Sequence, residues 1–117
     1  MIIDAHVHIG GDNVGFDMRE DIVLESMKKY HIDICIISNG DSGEYGHDLE
    51  ILPKEVQVDQ KASLKRAIDF AKENEGKIYA GFWCKPHHEE LDEEIEKMIA
   101  DNRKYMIALK VHPYHSN

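Results

Sequence analysis

The sequence predicts an α/β domain in which four parallel strands alternate with three helices. Short runs rich in β-branched residues are separated by segments whose apolar residues recur at helical spacing. The second strand segment, Ile34 to Ile37, is apolar on both faces, as buried parallel strands are. Strands in this order are joined by right-handed crossovers, so their carboxyl ends are expected to meet at one edge of the sheet.

The elements follow from these patterns and from helix-capping residues. Strands are predicted at residues 1–10, 32–38, 78–84 and 105–111, and helices at about 17–30, 59–76 and 89–102. Asp17 and Asp59 stand where N-caps are expected, and Glu20 follows Asp17 at the spacing of a capping box. The predicted buried stripe of the second helix is Leu64, Ala67, Ile68 and Ala71. The long connection 39–58 has no clean period and is predicted to be a lid or binding loop.

The composition fits one soluble globular domain of 117 residues, with 42% hydrophobic and 32% charged residues. The formal net charge of −9 argues against a nucleic-acid partner. No apolar run is long enough to cross a bilayer, and no leader resembles a signal peptide, so we expect no membrane contact. Cys35 and Cys84 lie in apolar strand-like runs and are predicted to be buried thiols, which favours a cytoplasmic location.

The first strand carries the most informative pattern. Asp4, His6 and His8 alternate with apolar residues, so these three are predicted to share one face of the strand. Two imidazoles at positions i and i+2 of a strand can bind one divalent ion, which predicts His6 and His8 as metal ligands. The alternative is an exposed strand with two solvated histidines, which the purely apolar opposite face disfavours.

Other polar residues fall near the carboxyl ends of the strands, where α/β folds bind their ligands. On this ground Asn39 and His112, together with Asp4, are predicted to line the mouth of a substrate site. Lys110 is predicted to face the same way, with an ion pair to a carboxylate such as Asp4 as its alternative role. The inward side of the fourth strand is predicted to be Met106, Ala108, Lys110 and His112.

Three segments resemble one family. Asp4-Ala5-His6-Val7-His8 resembles the first-strand D-x-H-x-H signature of the amidohydrolase superfamily of metal-dependent hydrolases. Residues 108–113, Ala-Leu-Lys-Val-His-Pro, resemble the G-x-K-L-H-P strand of its amidohydrolase-related branch. Residues 82–86, Phe-Trp-Cys-Lys-Pro, are similar to the G-F-x-x-x-x-P strand between them. The resemblance implies that residues 1–117 form a single domain, the N-terminal half of a (β/α)8 TIM-type barrel, which needs roughly 250 residues.

The resemblance also implies a chemistry. His6 and His8 would be first-strand ligands of a divalent metal, commonly zinc. Lys110 occupies the fourth-strand position whose lysine is carboxylated in binuclear members and is present without that role in many mononuclear relatives. The metal would activate a water molecule to attack an amide, ester or related bond of a small-molecule substrate. The later-strand histidines and the eighth-strand aspartate of the family have no counterpart in residues 1–117, so no catalytic residue is assigned.

Two functions therefore stay open: a metal-dependent hydrolase that is incomplete as a monomer, and a non-catalytic metal-binding or assembly half-barrel. A flavodoxin-type domain is disfavoured because no phosphate-cradling glycine loop precedes a helix. The polymerase-and-histidinol-phosphatase fold is disfavoured because the second strand ends in Ser38-Asn39-Gly40 instead of threonine, aspartate and histidine.

A half-barrel would leave its inner face and both edge strands uncovered. We expect that face to carry Ile34 or its neighbours, Ala80, Phe82 and Ala108. A homodimer that completes the barrel is the predicted assembly.

Overall fold

The computed structural model describes residues 1–11, 18–42, 48, 50–84 and 92–111. Four strands form one parallel sheet in sequential order, and their bounds are β1 Ile3–Ile9, β2 Ile34–Asn39, β3 Ile78–Cys84 and β4 Met106–Val111. Three helices connect them, and their bounds are α1 Glu20–Tyr30, α2 Gln60–Glu73 and α3 Glu93–Asp101. This confirms the predicted α/β fold, which has the layout of a half-barrel.

All three helices pack on one face of the sheet. Under α1 and α2 this face presents Cys35, Ile37, Ile78 and Ala80, and under α2 and α3 it presents Phe82. The predicted stripe of α2 is confirmed, because Leu64, Ala67, Ile68 and Ala71 are all buried. The core is therefore a single layer between helices and sheet, and the opposite face of the sheet carries no helix among the described residues.

One predicted helix start is confirmed and two are wrong. The Asp59 carboxylate accepts a hydrogen bond from the Ala62 backbone N–H at 3.1 Å, as an N-cap should. By contrast α1 begins only at Glu20, after an N-cap at Arg19 whose side chain makes no capping bond. Helix α3 begins at Glu93, where the Asp92 carboxylate caps the Ile95 N–H at 2.8 Å. The first acidic residues of that segment, 89 and 90, lie outside the described residues.

The sheet curves towards its helix-free face. The Cα atoms of β2 and β4 approach within 8 Å, whereas two strand spacings in a flat sheet measure about 9.5 Å. His6 of β1 also touches Lys110 of β4 at 3.0 Å, although three flat spacings would separate their strands by about 14 Å. The helix-free face is therefore concave, and side chains from its two edge strands meet over it.

Two register shifts decide which side chains reach the concave face. In β1 the pairing with β2 slips by one residue between Asp4 and Val7, and in β4 the pairing with β3 slips between Met106 and Ala108. Because an extra residue in one strand inverts the alternation, both sets of predicted faces change at these bulges. Asp4 pairs with the buried Cys35 on the helix side, so its predicted place beside the two histidines is wrong.

The same pairing corrects the predicted inner face. Met106 pairs with Ala80 and packs into the helix-side core, and Ala80 and Phe82 are 0% and 1% exposed beneath the helices. The concave face instead carries the alternate residues of β3, including Gly81 and Trp83, which pair with Ala108 and Lys110. The sequence pattern could not show which residues of β3 face the helices, because the strand is apolar on both faces.

Both edge strands keep one side unpaired within the described residues. On β4, Leu109 and Val111, the register partners of Phe82 and Cys84, are 70% and 47% exposed, and Ile107 at the bulge is 50% exposed. The predicted homodimer stays a prediction. Among the described helices, none has the length and apolarity needed to cross a membrane.

A charged network ties the carboxyl-edge connections to the helices. Arg66 of α2 donates to both carboxylate oxygens of Glu20 at 2.6 and 3.0 Å, and to Asp41 at 3.3 Å. Asp41 in turn accepts a hydrogen bond from the Gly11 N–H at 2.8 Å. The hydrogen bonds from Arg66 hold the pKa of Glu20 below its ordinary value of 4.5, against the opposing effect of burial.

This depressed pKa predicts a pH dependence of stability. The contribution of the Glu20 carboxylate is fully present above its unfolded pKa and is lost as the pH falls through the folded value. We expect Glu20→Gln to lower the free energy of unfolding at pH 7 by on the order of 1 kcal/mol, which is typical of a partly exposed ion pair. Its unfolding free energy should also fall less steeply than that of wild type below about pH 5. Urea denaturation at several pH values measures the loss at pH 7 and the pH dependence. The control is Glu25→Gln, which changes an exposed carboxylate of the same helix and should unfold with the wild-type free energy at each pH.

Candidate metal centre

Three side-chain nitrogens converge at the carboxyl end of the concave face. His6 Nε2 lies 3.1 Å from His8 Nε2 and 3.0 Å from Lys110 Nζ. The two imidazole rings meet edge to face with their centroids 5.0 Å apart. The structure therefore brings together the three residues that the sequence offered as metal ligands, although they come from opposite edges of the sheet.

The bulge in β1 separates Asp4 from the two histidines, which share one face because alternate residues of a strand point the same way. The Asp4 carboxylate accepts a hydrogen bond from the His6 backbone N–H at 3.0 Å, which closes a local turn at the bulge. His8 returns to regular pairing opposite Ser38. Asp4 thus acts on this strand through the backbone, and its charge lies near Cys35. Burial first, and the Asp4 carboxylate second, raise the pKa of the Cys35 thiol.

The spacing of the nitrogens fits a shared divalent ion. Two nitrogen ligands at the usual distance from a tetrahedral zinc are about 3.3 Å apart, close to the 3.1 Å between the two Nε2 atoms. Two imidazoles and one amine form a nitrogen-rich donor set of the kind that zinc and its neighbours in the first transition row accept. An ammonium has no lone pair, so Lys110 could act as a ligand only after losing a proton or being carboxylated.

Trp83 forms the floor of this cluster. Its ring centroid lies 5.5 Å from that of His8, and Lys110 Nζ lies 5.9 Å above its ring. Trp83 is 9% exposed, and its ring covers one side of the His8 ring. The sequence contains one tryptophan, and its fluorescence therefore reports on this place alone.

A groove of about 190 Å³ lies beside the nitrogens on the concave face. Its lining includes Ala5, His6, Ser38, Ala108 and Lys110. The volume suits a small organic molecule better than a polymer segment. Small side chains on β3 and β4 keep this space open, because Gly81 and Ala108 lie side by side there.

The remaining predicted mouth residues are placed differently or lie outside the described residues. Asn39 is 3% exposed, and its amide is used internally: it donates to the Ser63 carbonyl at 3.2 Å and accepts from the Asp41 N–H at 2.9 Å. His112 lies outside the described residues. Within the described part of the chain, no group of three or more His, Cys, Asp or Glu side chains could hold a metal ion. The candidate centre is thus two imidazoles with a lysine.

The sequence patterns missed Ser38 and Trp83. Both stand near the carboxyl end of an inner strand, on the concave face, but neither belongs to a recognised ligand motif. Correct strand pairing was the signal needed to find them, since Ser38 is the register partner of His8 and Trp83 that of Lys110.

Comparison of the chain with models of protein families, with curated proteins and with solved structures gives no match. The amidohydrolase resemblance thus rests on the three motifs alone.

Proposed function

We propose that this protein is a metal-dependent hydrolase of the amidohydrolase-related class, which uses a divalent ion, most simply zinc, to hydrolyse an amide, ester or related bond of a small molecule. The observation that carries the proposal is that His8 Nε2 and Lys110 Nζ lie 3.1 and 3.0 Å from His6 Nε2 at the carboxyl edge of a parallel sheet. This edge is where barrel enzymes assemble their active sites from several strands.

Each residue of the cluster has a separate role in this proposal. His6 and His8 would hold the ion through their Nε2 atoms, while Lys110 would add a donor or a positive charge beside it. A zinc ion held by these residues would lower the pKa of a coordinated water and so would supply the nucleophile for hydrolysis. Trp83 would exclude bulk water from one side of the histidines, and the groove beside them would receive the substrate.

A non-catalytic metal-binding module is the second candidate. It is favoured by the position of Asp4, the carboxylate closest in sequence to the histidines, which pairs with Cys35 on the helix side. A hydrolase of this class needs a general base within hydrogen-bond reach of the attacking water. If binding without hydrolysis is observed, this second function replaces the first.

The test combines metal loading with an activity screen. The protein is stripped with a chelator, reloaded with one equivalent of zinc, and assayed on chromogenic esters, anilides and small cyclic amides. We expect hydrolysis that appears with zinc, disappears on chelation and is lost in His6→Ala/His8→Ala. Zinc-independent hydrolysis, or equal rates in the double variant, would refute the assignment.

We also propose a cytoplasmic location. Cys35 and Cys84 are free thiols in the structure, as in proteins of a reducing compartment.

A further inference from the structure

Ser38 lies against the side of the His8 ring opposite the metal-facing nitrogen. The two residues are register partners on β1 and β2. Ser38 Oγ is 3.0 Å from His8 Nδ1, and the Ser38 carbonyl oxygen makes a longer contact of 3.4 Å with the same nitrogen. Ser38 is 6% exposed, so bulk water competes little for these contacts.

These two oxygens favour one tautomer of His8. A carbonyl oxygen only accepts hydrogen bonds, so a hydrogen bond from His8 to the Ser38 carbonyl needs the proton on Nδ1. The Ser38 hydroxyl can accept from that N–H, or donate to Nδ1 in the other tautomer. A neutral imidazole with its proton on Nδ1 leaves Nε2 with a bare lone pair. In that form the lone pair of His8 Nε2 would face His6, whose Nε2 lies 3.1 Å away.

The surroundings of His6 favour the same arrangement on its side. Its Nε2 lies 3.0 Å from Lys110 Nζ, and a lysine ammonium only donates. In the Nδ1–H form of His8, both Nε2 atoms are acceptors that face each other across 3.1 Å, and the Lys110 ammonium beside His6 offsets their repulsion. In the other tautomer, His8 Nε2–H would donate a hydrogen bond to His6 Nε2 across the same distance, so the two tautomers can be told apart by experiment. Two unprotonated imidazole nitrogens directed to one point are what two ligands of one metal require.

We propose that Ser38 is a positioning residue: it holds His8 in the Nδ1–H tautomer and so prepares Nε2 for a divalent metal ion before the ion arrives. The role in metal affinity rests on the proposed function, whereas the tautomer is a property of the metal-free protein. Neither the family motifs nor the spacing of the histidines identifies this residue. Partners of this kind typically change metal affinity by about 10- to 100-fold when removed.

The first measurement needs no metal. Two-bond 1H–15N spectra of the chelator-treated protein at about pH 8.5, where imidazole is neutral, distinguish Nδ1–H from Nε2–H, and loss of signals in His8→Ala assigns His8. We expect the Nδ1–H form in wild type and a mixture in Ser38→Ala. An Nε2–H or imidazolium form of His8 in wild type would overturn the proposal, whatever zinc does.

The second measurement is zinc affinity by calorimetry. We expect Ser38→Ala to bind zinc about 10- to 100-fold more weakly, and Ser38→Thr, which keeps the hydroxyl, to recover most of this loss. The groove that Ser38 lines leaves room for the added methyl group. Ser63→Ala is the matched control, because Ser63 is 1% exposed and its hydroxyl makes no hydrogen bond within the described residues.

The outcomes separate the two claims. Wild-type zinc affinity in Ser38→Ala, or an equal loss in Ser63→Ala, would overturn the positioning role. If wild type binds no zinc but His8 shows the Nδ1–H form that Ser38→Ala loses, the proposed metal function fails while the control of the tautomer by Ser38 stands. Thermal melts of all variants exclude general unfolding as the cause.

Discussion

His6→Ala/His8→Ala should abolish zinc binding, the largest functional effect that the structure predicts. The two Nε2 atoms are the proposed imidazole ligands, and no third His, Cys, Asp or Glu joins them in the described part of the chain. Removing a residue that hydrogen-bonds to a metal ligand weakens metal binding by about 10- to 100-fold. Removing both imidazole ligands should weaken it further, so we expect zinc affinity to fall by more than about 100-fold. Cobalt or copper titrations can be followed in parallel through Trp83, whose ring lies 5.5 Å from His8.

His31→Asn is the matched control for this experiment. His31 is exposed at the C-terminus of α1 and has a φ of 55°, a left-handed conformation that asparagine tolerates. The variant removes an imidazole without touching the sheet, so zinc affinity and Trp83 quenching should match the wild type. Equal binding in the double variant and in His31→Asn would mean that metal binds elsewhere, and the candidate centre would be wrong.

Much of the fold could be predicted because it depends on local pattern. The stripe of α2, the Asp59 cap and the bounds of β3 follow from residues close together in the chain, and each is confirmed. His6, His8 and Lys110 could also be placed near one another, since parallel strands bring their carboxyl ends to one edge.

The faces of the edge strands could not be predicted because they depend on pairing. A one-residue bulge in β1 moves Asp4 to the helix side while leaving His6 and His8 together, and a second bulge moves Met106 into the core. No period within a strand indicates where its partner skips a residue. Asn39 illustrates the same limit, because its amide is used by Ser63 and Asp41, which the sequence gives no reason to place beside it.

Gly10→Ala should strongly destabilise the protein, since Gly10 combines an unusual backbone with a crowded position directly after β1. Its φ is +72°, and a Cβ there would lie 2.5 Å from Asn39 Oδ1 and 2.5 Å from Asp41 Oδ2. Neither oxygen can move away without breaking a hydrogen bond. Asn39 Oδ1 accepts from the Asp41 N–H, and the Asp41 carboxylate is held by the Gly11 N–H and Arg66.

Two costs therefore add at this position. A left-handed backbone costs an alanine roughly 1–2 kcal/mol, and disrupting buried hydrogen bonds costs about 1–3 kcal/mol more. We expect a total loss of about 2–5 kcal/mol in the free energy of unfolding, a large share of the 5–15 kcal/mol typical of a domain. Urea denaturation followed by circular dichroism measures it.

Gly76→Ala separates the two costs. Gly76 has a φ of +83°, but no atom lies within 4 Å of the position a Cβ would take. Its substitution should therefore lower the free energy of unfolding only by the cost of the left-handed backbone, about 1–2 kcal/mol. The difference in unfolding free energy between the two variants measures the cost of the steric clash at the turn after His8 and Ile9. Equal losses would show that Asn39 and Asp41 can shift away from a Cβ at Gly10 without loss of stability.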